Sequence, residues 1–518
     1  MERVAPRQIM YENQLPLAIE SKSQRRLFFP EGGSTYGPTG GGANPNIIRI
    51  PINADSLLDV QHSYLQFVVK STGGGALAPD IGVPFIRRLR IESAGTTLED
   101  IDNYGKLYGG VLFPSQASAG ALQEATLQTK GVGTAANSLS AIAATACPAV
   151  ADNAEGMAGP TEAQIRAAIN VTKELIRTAI TDQNAAEIVK LDARTIDAAT
   201  TIASAKHSLT SVAGGGIAND TSATYNVPLI SALFNMEKYL PLVMMNAGLT
   251  IEIELGTAQE AGVARTGDDN AGVGQAGIDW EVSDVRYVAH LIDLQRDFYD
   301  RMRMVMEGSG GVLQLAGTTF RHYQGTTNAG AGTNIVNIPS RIKSIKSVFF
   351  TQTPTAEIAA VTEFSTSNSV PNGLTAYQYR VGSVVYPPTS VKAVVGAANL
   401  YSNKGEFYNE LRKSWGNLGA YDGQGVLLNQ NTYLAADNAT CATATAAPAT
   451  PQFNPFGLDF ESFQKISAEN GINTADRSLP MSLELTNNAQ AVACIVDVWV
   501  MCDAIFYVNL DGSVSVSI

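Results

Sequence analysis

Apolar residues in this chain recur mainly with a period of two. Leu249 to Leu255, LTIEIEL, alternates strictly, which predicts a strand with Leu249, Ile251, Ile253 and Leu255 on a core face and Thr250, Glu252 and Glu254 outward. Phe85, Ile86, Leu89 and Ile91 predict another strand, ended by a turn at Ser93-Ala94-Gly95. Ile278 to Leu294, carrying Val282, Val285, Tyr287 and Val288, predicts a long strand with a local irregularity. Ala491 to Leu510 is β-branched and aromatic, and Asp497 and Asp503 make it too charged to span a bilayer, so it reads as a buried strand or strand pair.

Two segments depart from this period. DLQRDFYDRMRMVME mixes charges and apolar residues at helical spacing and predicts a linker helix over 295–310. PTEAQIRAAINVTKELIRTAITD predicts a second helix. Thr161 and Gln164 fit a capping box behind Pro160, Ile165, Ile169, Ile176 and Ile180 share a face, and Glu162 and Arg166 form an i, i+4 pair. It lies in an Ala-, Thr- and Gly-rich stretch from about 115 to 225, read as a large loop insertion that projects from the first β domain. A smaller Ala- and Thr-rich region runs from about 434 to 452.

The patterning repeats. Asn46 to Pro51 reads NIIRIP, and Asn334 to Pro339 reads NIVNIP, 288 residues later. Each copy precedes a polar link and an apolar strand, SYLQFVV in the first case and IKSIKSVFF in the second, which predicts a duplicated domain. Ile47, Ile48, Ile50 and Pro51 mark the first repeat-start strand, and Ile335, Val336, Ile338 and Pro339 the second.

Composition agrees with a loop-rich β protein: 518 residues, 47 Gly, 22 Pro and only 16% charged residues. The formal charge of −13 argues against sequence-specific nucleic-acid binding, which needs clustered Lys and Arg. Lys22, Arg25 and Arg26 read as solvated charges rather than a genome-binding arm. Cys147, Cys441, Cys494 and Cys502 form no Cys-x-x-Cys pair, so packed, reduced thiols are expected. With a charged N-terminus and no run of ~18 apolar residues, neither signal peptide nor membrane span is expected, and the chain reads as kept in cytosol-like conditions.

Candidate chemistry is sparse. His62, His207, His290 and His322 are far apart in sequence, without metal-ligand spacing, and are assigned structural or surface roles. No Gly-x-Ser-x-Gly elbow is present. The Gly-rich stretches Glu31 to Asn46 and Asn328 to Asn334 precede strands and lack the P-loop Lys, so both read as flexible lead-ins. Glu252 and Glu254 share a strand face and read as solvated. Asn170, Asn219 and Asn438 head glycosylation-type triplets that carry little weight without a signal peptide. No catalytic, cofactor or metal residue is assigned, and the chain is expected not to be an enzyme.

One further stretch, VPLISALFNMEKYLPLVMMNAGLTIEIELG, places a Pro-bracketed apolar corner directly before the alternating strand. With the tandem β domains and the insertion, it resembles the double jelly-roll major capsid proteins of icosahedral DNA viruses in the virophage, polinton-like and large-DNA-virus lineage. Its corner positions here are Pro228, Leu229, Phe234, Leu240, Pro241 and Leu242, although the aromatic-rich Trp-Phe version of the large viruses is absent. The resemblance spans about residues 28–518 as an architecture and about 30 residues as a motif.

It implies an all-β fold of two tandem eight-stranded jelly rolls, with a large, partly helical insertion in the first. The expected layout is an N-terminal arm over 1–30, a first roll over 31–294, the linker helix and a second roll over 311–518. It further implies homotrimers that form pseudo-hexameric capsomers, penton and minor capsid proteins as partners, and a place in the virion capsid after assembly in the host cytoplasm or nucleus. A carbohydrate-binding or lytic β-sandwich is the alternative from another class, although Trp280, Trp415 and Trp499 are few and dispersed. An RNA-virus coat is the nearer one, although such coats usually carry basic arms.

Overall fold

A computed structural model describes residues 21–40, 44–72, 76–77, 83–116, 222–236, 238–258, 260–263, 279–308, 310–355, 369–396, 401–415, 428, 433–434, 454–461, 471–476, 480–489 and 491–518. The expected helix after Pro160, Cys147, Cys441, His207, the three glycosylation-type Asn residues, nearly all of the insertion, most of the 434–452 region and the first 20 residues lie outside the described residues.

The alternating segments build two sandwiches. The first contains β1 (Ser21–Phe28), β2 (Ile47–Ile52), β3 (Leu57–Ser71), β4 (Ile86–Ser93), β5 (Thr96–Asp102), β6 (Ser222–Val227), β7 (Leu249–Leu255) and β8 (Trp280–Leu294). The second contains β9 (Val312–Thr327), β10 (Gly332–Ile338), β11 (Ile345–Pro354), β12 (Leu374–Val381), β13 (Val384–Lys392), β14 (Phe456–Asp459), β15 (Met481–Asn487) and β16 (Cys494–Asn509). Helix α1 (Arg296–Gly308) links them, and α2 (Gly405–Ser414) packs on the second at Gly457, whose Cα hydrogens face Phe349, Leu411 and Ser414.

Strand order is the decisive feature. The first sandwich pairs β1-β8-β3-β6 in one sheet and β2-β7-β4-β5 in the other; the second pairs β9-β16-β11-β14 and β10-β15-β12-β13. Adding eight to each label of the first pair gives the second, so one permutation occurs twice. The sequence repeat falls at equivalent strands, since β2 and β10 each form the same edge of the smaller sheet. Their burial matches as well. Ile47 and Ile335 are exposed, while Ile48 and Val336, then Ile50 and Ile338, are buried.

Register explains the cores. Ile48, Ile253, Leu89 and Ile101 form one inward row across the first small sheet, matched by Val336, Leu483, Tyr379 and Tyr386 in the second. The β4–β5 hairpin closes through Ala94 and Gly95, both at positive φ (50° and 77°), which matches the twist of the strands it joins. Strand β8 shifts register between Ser283 and Arg286, with Asp284 at φ 48°, and again between Val288 and His290. Strand β16 is a single 16-residue strand paired along β9 for its whole length. Most buried hydrophobic side chains of both sandwiches join in one continuous cluster, with Val370 and Cys494 in a small separate one.

Residues 21–28, within the expected N-terminal arm, form an eight-residue strand against β8. The Gly-rich stretch after it is not a loose lead-in. Tyr36 is buried and pairs with Val282, Glu31 N–H donates to Arg49 O, and the Thr39 hydroxyl donates to Leu255 O at 2.5 Å. An aromatic side chain that reaches a core anchors even a glycine-rich segment. Asn328 to Asn334 covers the tight β9–β10 connection, residues 328–331, and the start of β10; Asn328 N–H donates to the Asn334 side chain and Gly330 N–H to Ala491 O.

Candidate functional site

The corner before β7 is held from two sides. Leu229, Phe234, Leu240, Pro241 and Leu242 are buried, whereas Pro228 is exposed. Pro241 and Leu240 pair with Leu57 and Leu58 of β3, and Phe234 packs against Tyr287 of β8 with ring centroids 5.7 Å apart. Apolar contact fixes the position of the corner, but its turn also has backbone donors that need acceptors. Glu99 supplies them. It stands in the inward row of β5, is 1% exposed, and accepts from Ala232 N–H at 2.8 Å and Leu233 N–H at 3.0 Å. The Tyr104 hydroxyl accepts from Ile230 N–H at 2.7 Å, and burial raises the ordinary phenol pKa of that group.

The other side of the corner belongs to the second sandwich. A Cβ on Gly317 of β9 would stand 2.6 Å from Ala232 O and 2.9 Å from Ala232 Cβ, so only glycine lets the two backbones meet there. Further along, Asn246 donates to the 511–512 turn, through its backbone to Gly512 O at 3.3 Å and its side chain to Asp511 O at 2.5 Å. The corner is therefore a joint between sandwiches as well as a lead into β7.

Beside this joint lies a buried charge cluster that joins residues up to 391 positions apart. Lys106, from the helical segment Tyr104–Gln116 after β5, donates to Asp497 of β16 and Thr353 of β11, each at 2.5 Å. Asp497 also accepts from His322 Nε2 at 3.0 Å and Gln324 at 3.1 Å, both on β9. The other ring nitrogen of His322 faces Asp102, at the end of β5, at 3.6 Å. Trp499 packs beside the imidazole with centroids 5.4 Å apart. Burial pushes the Asp497 carboxyl up, but Lys106 and His322 outweigh it and hold that group well below the usual carboxylate range. Burial likewise pushes the His322 ring down, and the two carboxylates reverse this to a net rise.

The outer face of the first small sheet is also charged. Arg49, Glu252, Arg90 and Asp100 form one cross-strand row, with Glu252 2.6 Å from Arg49 and 3.3 Å from Arg90. Arg88 is 2.5 Å from Asp100. Glu252 is 8% exposed, so the expectation of a solvated carboxylate is corrected: flanking arginines cover it. Trp280 and Trp499 are core residues rather than exposed platforms.

The structure brings the corner residues together but leaves the two repeat-start strands in different sandwiches, where they are equivalent rather than adjacent. Sequence separation also concealed a histidine pair. His62 of β3 and His290 of β8 face edge-on, with centroids 6.5 Å apart, and His62 pairs with Asp59 at 2.8 Å. Among the described residues no group of three or more His, Cys, Asp or Glu is arranged to hold a metal ion. Cys494 and Cys502 are both buried. No described helix is long and apolar enough to cross a membrane.

No family model and no curated protein matches this sequence. Among solved structures, the chain is similar to a quasi-atomic PBCV-1 virus capsid structure, with TM-score 0.50, 9% identity and coverage of 98% of this chain and 99% of that one. The fold is a double jelly roll. Also similar are the Faustovirus major capsid protein, at TM-score 0.49, 10% identity and coverage of 96% and 92%, and the Sputnik virophage structure, at 0.48, 10%, 100% and 93%. The full-length match spans both copies of the strand permutation, so in this double jelly roll the corner and charge cluster form the seam between the two rolls.

Proposed function

We propose that this chain is the major capsid protein of an icosahedral DNA virus and acts by self-assembly rather than by catalysis. The observation that carries this reading is the doubled strand permutation within one chain, aligned over its whole length with a virus capsid structure. A chain with two like rolls offers six to a threefold axis, so a homotrimer becomes a pseudo-hexagonal block that can tile a closed shell. The seam suits this role. Tiling needs the two rolls at a fixed mutual setting, and Gly317 against Ala232, with Lys106 on Asp497, supplies close approach and a directional lock.

In this reading Leu229, Phe234, Leu240, Pro241 and Leu242 act as the joint behind the lattice surface, with Pro228 at its exposed margin. The repeat-start strands, Ile47 to Pro51 and Ile335 to Pro339, present matching edges. Penton and minor capsid proteins are the further partners, and the virion capsid is the place of action. Light scattering behind a sizing column tests the reading. A species of about three times 54.7 kDa that persists on dilution supports it, and a monomer at all concentrations overturns it.

A further inference from the structure

The charge cluster at the seam contains more acid than one lysine can balance. Asp497 and Asp102 carry two negative charges, Lys106 one positive, and Asp102 stands between the seam and solvent, half exposed. His322 lies between the carboxylates, its side chain 8% exposed, with Nε2 toward Asp497 and Nδ1 toward Asp102. A neutral imidazole carries one N–H and would turn a lone pair toward one of the two carboxylates; only the imidazolium turns an N–H toward both. It also brings the four-group cluster to zero net charge.

None of the other groups around the ring stands between His322 and its two carboxylates. Gln324 on β9 is neutral and donates to Asp497, and Trp499 on β16 contributes its ring. Thr353 on β11 binds Lys106. Arg321 on β9 reaches the backbone oxygen of Asp100 at 3.5 Å, and Arg87 on β4 acts on Asp102 from a distance.

We propose that His322 is a protonation latch between the two rolls: charged, it ties β5 of the first roll to β9 and β16 of the second, and on losing its proton it lets the seam open. The buried position between two carboxylates sets the direction of the effect. Because the folded state holds the proton more tightly than the unfolded chain, the stabilisation is complete below the ordinary histidine pKa of 6.5 and disappears as pH rises through the higher folded value. Mildly acidic solution closes the seam and alkaline solution loosens it. The latch is a property of one chain and does not depend on its state of assembly.

Hydrogen exchange of the full-length protein from pH 5.5 to 9, corrected for intrinsic exchange, tests this, with sizing at each pH to separate seam opening from any dissociation. Peptides over 98–107, 318–326 and 494–503 should open progressively above the ordinary histidine range, by up to about tenfold per pH unit, the limit for one proton. Peptides over 249–255 and 481–487, in the small sheets, should keep a flat profile. His322→Gln should abolish the pH dependence at the seam, and His62→Gln should retain it. Where His322→Gln fails to fold, the wild-type ring signal, followed by NMR after carbon-13 labelling of histidine, decides alone. A ring that titrates at or below the ordinary histidine value overturns the latch, as does seam exchange that runs parallel to the small sheets.

Discussion

The two rolls share strand order, repeat strand and inward rows, yet their small sheets meet the surroundings differently. In the first, the outward row is Arg49, Glu252, Arg90 and Asp100, a continuous alternation of charge. In the second, the corresponding face carries Asn337, Ser482 and Arg380, with Ile335 beside Glu484, itself bound by Gln378 at 2.5 Å and Arg380 at 2.8 Å. Inward positions are constrained by the core and are apolar or aromatic in both rolls, whereas outward positions are not so constrained and differ. A duplicated fold can thus conserve its architecture while giving each copy a different surface chemistry.

The sharpest way to break the comparison is at the seam, where the two copies must meet. Gly317→Val should be the most damaging change, because its new Cβ would press on Ala232 backbone atoms that cannot rotate away. A loss above about 4 kcal/mol, or no folded protein, is expected by urea denaturation. Gly325→Ala on the same strand is the control. Its Cβ would press first on the Val336 side chain, within the second roll rather than across the seam, so a milder loss is expected. Equal losses at both positions would show that the seam is no more exacting than either core.

Lys106→Met comes next. It leaves Asp497 buried against His322 and Gln324 without its lysine, and removal of one member of a buried ion pair costs about 3–5 kcal/mol. Denaturant titration measures this, and a loss below about 1 kcal/mol would mean that water reaches the cluster.

Legibility in the sequence followed the range of the interactions involved. The alternation in LTIEIEL, the Ala94-Gly95 turn and the NIIRIP and NIVNIP repeats are local patterns, and each marks a real strand or turn. The corner stretch stands out in the sequence because its Leu, Phe and Pro residues cluster within 15 positions, from Pro228 to Leu242. The seam does not, since Lys106, His322 and Asp497 come from three distant segments and each looks ordinary alone. Two signals pointed toward it. Asp497 interrupts CIVDVWV and Lys106 interrupts NYGKLYGGVLF, and a charge in an otherwise apolar run requires a buried partner. Tyr36 in its Gly-rich stretch was the comparable signal for an anchored segment.

The smallest expected effects sharpen the comparison of the two faces. Glu252→Gln removes the charge that both Arg49 and Arg90 share, at a cost of about 1–2 kcal/mol. Glu484→Gln should cost less than about 1 kcal/mol, because Arg380 beside it is half exposed and water screens the pair. Gln378 and then Arg380 lower the Glu484 pKa below its ordinary 4.5. A lowered carboxylate stabilises the fold above that value and loses its contribution as pH falls through the folded one. The melting curves of wild type and Glu484→Gln should therefore separate above the ordinary carboxylate value and converge as pH falls below it, the opposite limb from the one assigned to His322. Parallel curves across that range would mean that the carboxylate gains nothing from Gln378 and Arg380.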